Sequence, residues 1–142
     1  MTKMCVRLLI CGLMIGLVAG CATTPKKSDD DLIKETVATV KTALEAKDIE
    51  MLLTTFSEDF SHPELAGGKE EAREMLQMGV DAGYADDGEV SIVDMQITKN
   101  DDGTASVYPV DLSGAPGSIS VELVMKKEGD VWRIVTVNPD GM

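Results

Sequence analysis

From Ile119 to Val137 the chain reads ISVELVMKKEGDVWRIVTV, two β-rich runs around a turn at Glu128-Gly129-Asp130. Ile119, Val121, Leu123 and Met125 alternate with Ser120, Glu122, Val124 and Lys126, a period of two that gives a strand one apolar and one mostly polar face. Gly129 supplies the positive φ that such a short connection needs. The return run, Val131 to Val137, is apolar on both faces except at Arg133 and Thr136, which predicts a more central strand with Trp132 and Ile134 on one side. Two further strands are predicted before this hairpin, over Glu89–Lys99 and Thr104–Leu112, joined by the turn Asn100-Asp101-Asp102-Gly103.

The first half has a different period. Ser28 followed by Asp29, Asp30 and Asp31 is an N-cap with acids in the first turn, and Ile33, Val37, Val40 and Leu44 form one stripe of a helix running to about Lys47. Asp48 caps a short second helix with Met51, Leu52 and Phe56 facing inward. Ser57 to Leu65 reads as a turn and a short extended piece, because Pro63 forbids helix. After Gly67-Gly68 a third helix spans Lys69–Asp81 with Ala72, Met75, Leu76 and Gly79 on one face. Helices first and an antiparallel meander afterwards make an α+β domain, with helices packed on one face of a curved sheet.

A length of 142 residues allows one such domain. The net charge is −12, and residues after Cys21 hold 11 basic and 25 acidic side chains, a net of −14. That surface repels phosphate backbones, so no nucleic-acid partner is expected.

The N-terminus has its own pattern. Lys3 and Arg7 precede a twelve-residue apolar run, Leu8–Ala19, which is short for a spanning helix and ends in Leu17-Val18-Ala19-Gly20-Cys21. This ending resembles the lipobox of bacterial lipoproteins. The resemblance implies a signal peptide over residues 1–20, diacylglyceryl and palmitoyl-type acylation of Cys21, and a domain over 29–142 held on a tether over 21–28. It implies attachment to the cell or outer membrane, facing the periplasm or exterior. Cys5 and Cys11 fall in the leader, so the mature chain has no disulfide and no thiol nucleophile.

The helix pair around ALEAKDIEMLLTTFSEDF, the helix GKEEAREML and the closing pair containing EGDVWRIV resemble, in this order, the nuclear transport factor 2-like superfamily, in its SnoaL-like and ketosteroid-isomerase-like branch. The resemblance covers Leu32 to Val137 and implies a cone-shaped, cystatin-like fold, with helices on the concave face of the sheet and a pocket between them. In family enzymes an acid or base follows the second helix, here Phe60–Leu65, where this chain has His62 and Glu64. It departs from the family elsewhere: Val37 and Val40 stand where a pocket tyrosine belongs, and Asp111 sits beside a loop. The catalytic set therefore does not transfer.

His62 is the lone histidine and a candidate general base steered by Asp59 or Glu64; the plain alternative is a turn histidine before Pro63. Phe56, Phe60, His62, Met75, Tyr84, Tyr108 and Trp132 are the candidate ligand-lining residues. Asp29-Asp30-Asp31, Asp86-Asp87-Gly88-Glu89 and Asp101-Asp102-Gly103 lack the alternating ligands of a calcium loop and read as caps and turns, so no metal is expected. No nucleotide or phosphate fingerprint appears, and no cofactor is expected. Three readings stay open: a non-catalytic module binding a small apolar ligand or an envelope protein, an isomerase, dehydratase or hydrolase using His62, and a domain that dimerises through the open sheet face at Ser120, Glu122, Val124 and Arg133.

Overall fold

In the computed structural model, which describes residues 24–64 and 67–140, the first helix starts where Ser28 caps it. The expected leader and Cys21 lie outside the described residues, as do Leu65 and Ala66. Ser28 Oγ accepts from the Asp31 amide at 3.2 Å, and the Asp31 carboxylate accepts from the Ser28 amide at 3.3 Å, which satisfies two donors left open at the helix start. Helix α1 spans Asp29–Glu45 and buries Ile33, Val37, Val40 and Ala43. It ends two residues before the expected Lys47, because Lys47 takes a positive φ of 56°. Asp48 then caps α2, Ile49–Leu53, through the Met51 amide at 2.9 Å. Helix α3 spans Lys69–Asp81, the predicted range.

The strands are β1, Glu89–Ser91; β2, Gln96–Lys99; β3, Thr104–Gly114; β4, Gly117–Glu128; and β5, Val131–Pro139. All pairings are antiparallel; β3, β4 and β5 form the meander, while β1 and β2 both pair with β3. The expected single strand Glu89–Lys99 is thus two strands. β2 pairs with the first half of β3 (Gln96 opposite Tyr108) and β1 with the second half (Ser91 opposite Asp111). Between them β3 carries a bulge, where Tyr108 and Pro109 together stand opposite Glu122. A bulge bends its strand, and Pro109 offers no N–H to a neighbour, so the chain turns away at Ile92–Met95 and leaves Val93 87% exposed.

The expectation that β5 is central is also corrected: β5 is the last strand of the sheet. Its outer edge is nonetheless paired. Ile134 N–H donates to Thr55 O at 2.8 Å, Ser57 N–H to Ile134 O at 2.8 Å, and Ser61 N–H to Val135 O at 3.0 Å. Phe56 accordingly bridges Ile134 in parallel, so the extended piece expected after Ser57 comes before it. A second bulge, on β5 at Val135, returns Val137 to the core side occupied by Trp132 and Ile134.

The core lies between α1 and the inner sheet face, where Val107, Val110, Leu123, Met125, Trp132 and Ile134 are buried. Three helices on the concave face of a five-stranded sheet is the predicted α+β architecture. Among the described residues no helix is long and apolar enough to cross a membrane.

Candidate functional site

The amphipathic stripe of α1 ends in Ala43 and Leu44, small and medium side chains at the end of the helix that lies over β1. β1 is clamped to α1 at Val90: Lys41 Nζ donates to Val90 O at 2.6 Å, and Val90 N–H donates to the Glu45 carboxylate at 3.1 Å. The ion pair with Lys41, and then this amide, hold the Glu45 carboxyl below its ordinary pKa. Helix α3 approaches from the other side but buries only Ala72, and it packs chiefly on α2.

Between these elements lies a cavity of about 230 Å³. Ala43 and Leu44 of α1, Ile49 and Leu52 of α2, Met75, Leu76, Gly79 and Val80 of α3, Val90 of β1 and Leu112 of β3 form its walls. Gly79 faces it without a side chain, and there is room for one: a Cβ at that position would meet only Tyr84 Cδ2, at 4.0 Å. The Tyr84 amide donates to Gly79 O at 2.9 Å, which ends α3 and brings the tyrosine ring to the rim. Gly114 allows that loop to settle on the end of β3, since a Cβ there would come within 2.5 Å of Tyr84 O.

Polar groups occur only at the rim, as Lys47, Asp48, Tyr84, Glu89 and Ser113. Lys47 is paired with Asp86, and Asp48 caps α2. Among the described residues no set of polar side chains converges inside the cavity. An apolar hollow with polar groups confined to its edge is suited to hold a small apolar body by desolvation.

Of the candidate lining residues, Met75 and Tyr84 reach this cavity. Phe56 and Phe60 are buried against each other with ring centroids 4.5 Å apart, under the edge of β5. Trp132 is buried at the start of α1, its indole N–H donating to Asp29 at 3.3 Å and Lys99 Nζ 4.4 Å from its ring centroid. Tyr108 lies on the opposite sheet face and donates to Asp140 at 2.6 Å; that bond raises the Tyr108 pKa above its ordinary value. His62 is outside the cavity, and its Nδ1 accepts from the backbone amide of Glu64 at 3.1 Å; among the described residues no hydrogen bond joins it to the carboxylate of Asp59 or Glu64. Asp59 is engaged by Lys126, whose pKa that bond raises. The three candidate catalytic residues are therefore not joined to one another by side-chain hydrogen bonds among the described residues. Asp111 accepts from Ser120 on the open face.

Sequence reasoning missed Leu44, Ile49, Val80, Glu89 and Leu112 as cavity residues. The available signal was the third helix, whose apolar face is too short to be buried along its length.

No protein-family model matches the chain, and no curated protein matches it. Solved structures do. A protein of unknown function with a cystatin-like fold from Nostoc punctiforme superposes with a TM-score of 0.63 at 22% identity, over 78% of this chain and 89% of that one. A proposed dehydratase of the NTF2-like family from Streptomyces avermitilis gives 0.60 at 14% identity, over 78% and 94%. A proposed scytalone dehydratase from Novosphingobium aromaticivorans gives 0.60 at 14% identity, over 78% and 81%.

The chain has a cystatin-like, NTF2-like fold.

This chain's cavity lies between its three helices and the β1–β3 end of the sheet. The cystatin-like scaffold carries binding and small-enzyme functions alike, so the residues around the hollow have to decide between them.

Proposed function

We propose that the protein is a lipid-anchored domain of the bacterial cell envelope that binds a small, largely apolar ligand, without chemistry, between α1, α2, α3 and β1. The observation that carries the binding reading is the cavity itself: twelve of its lining residues are apolar or glycine, Ala85 and Gly88 among them, and its polar side chains stay at the rim. A catalytic reading needs His62 beside a carboxylate and near the ligand; His62 does not line the cavity, and among the described residues its hydrogen bond is to the Glu64 backbone amide. The anchoring reading is supported by the basic flank, the apolar run and the sequence Leu17-Val18-Ala19-Gly20-Cys21. More than one acyl chain, at about 0.8 kcal/mol for each buried CH₂, makes such attachment stable.

Two measurements test this. The full chain purified from its native host is analysed by native mass spectrometry for co-purifying small molecules. Gly79→Phe, which fills the cavity from a helix position with space for a side chain, is expected to lose the ligand and remain folded. Retention of the ligand by that variant would overturn the cavity as the site. Intact-mass analysis of the exported protein is expected to find acyl chains on Cys21; a free thiol there would remove the anchor.

A further inference from the structure

Resting on the cavity reading above, we propose that the ligand carries a cationic, ammonium-type head: a compact aliphatic or alicyclic amine whose apolar body fills the cavity and whose nitrogen sits at the rim. The rim residues differ in what they have left to offer. Lys47, the one cation lining the cavity, is already paired with Asp86. Asp48 spends one carboxylate oxygen on the Met51 amide and keeps the other. Glu89 is exposed, and among the described residues its carboxylate takes part in no hydrogen bond or ion pair.

Tyr84 is the aromatic residue at the same rim. Its ring lies against Gly79, 61% of the residue is exposed, and among the described residues its hydroxyl has no partner. An aromatic face attracts an ammonium through its quadrupole, and carboxylate oxygens accept its N–H donors. A carboxylate head would instead meet Asp48 and Glu89, with Lys47 already engaged by Asp86, on a chain of net charge −12. An uncharged hydroxyl head can donate one hydrogen bond to Glu89 or Asp48 but has neither the charge nor the further N–H donors of an ammonium, and gains little from the ring. Carboxylates and an aromatic edge around an apolar hollow thus select for positive charge at one end of the ligand.

The test uses the full, ¹⁵N-labelled chain in detergent micelles and three probes with the same ring: cyclohexylamine, cyclohexanol and cyclohexanecarboxylate. Amide shifts at Gly79, Ala85 and Gly88 report occupancy of this cavity. The amine is expected to bind about tenfold more tightly than the alcohol, and the carboxylate to leave the shifts unchanged. Glu89→Gln and Tyr84→Leu are each expected to weaken the amine several-fold and to leave the alcohol unaffected. High salt should weaken the amine alone. If the alcohol or the carboxylate binds as tightly as the amine, or if the amine's advantage survives both substitutions, the charge inference fails and the cavity reading stands. If none of the three probes shifts those amides, both fail.

Discussion

The two ends of α1 are packed differently. At its start, Asp29 receives Lys127 Nζ at 2.7 Å and the Trp132 indole, Thr36 Oγ1 donates to Trp132 O at 2.8 Å, and Met125, Trp132 and Ile134 are buried beneath. At its far end, Lys41 and Glu45 hold β1, but α3 stands off and leaves a hollow. The chain is the same helix throughout. What differs is the opposing surface: a two-stranded turn with a tryptophan at one end, a helix with a glycine facing inward at the other. Close packing and binding capacity are therefore separated along one axis, and the residues that stabilise the fold are not those that would meet a ligand.

The largest test of this contrast removes equal chemistry from each end. Ile134→Ala, at a position 1% exposed, is expected to cost about 2–5 kcal/mol, through lost transfer energy and a cavity that close-packed neighbours cannot fill. Leu76→Ala, on a wall that already faces empty space, should cost only about 1 kcal/mol. Urea titration of both variants measures the difference, and equal losses would show that the two ends are not distinct in packing.

A smaller effect is expected at Ser57, fully buried where the 55–61 segment covers β5. Its Oγ donates to Glu128 and accepts from the Asp59 amide at 3.1 Å, so Ser57→Ala should lose about 1–3 kcal/mol by leaving a buried polar group unmatched. Hydrogen exchange at Ile134 and Ser61 should accelerate more than exchange in α3, and the reverse pattern would assign the segment to the loose end.

The smallest effect concerns pH. The hydrogen bond from Lys127, and then that from Trp132, hold the Asp29 carboxyl below its ordinary pKa. A carboxyl lowered by folding contributes stability above its ordinary pKa, and that contribution disappears as pH falls through the carboxylate range toward the folded value. Asp29→Asn should therefore show a smaller drop in Tm between about pH 5 and pH 2 than the parent. An unchanged acid limb would mean that this pair does not tie α1 to the hairpin.

Much of this was readable from residue patterns, for reasons that particular elements make clear. Ser28 and Asp48 announced α1 and α2 because capping is local chemistry, and Lys69–Asp81 emerged with its predicted bounds because glycines stand on both sides of it. β5 reads as central because a bulge at Val135 puts Val137 on the core side and because its outer edge pairs with Thr55–Ser61, a contact nearly eighty residues away, and no period in β5 records either. The long strand was split by the Tyr108-Pro109 bulge on a neighbour, again outside its own sequence. The site was the least legible part. Phe56, Phe60 and Trp132 attract notice as aromatic residues and serve the core, whereas the cavity walls are ordinary aliphatics whose role comes from what fails to pack against them.

The direction of α1 has one more consequence. Its 17 residues extend for about 25 Å, beginning just after Ser28 and ending beside the hollow. Whatever precedes Ser28 therefore joins the domain a full helix length from the opening.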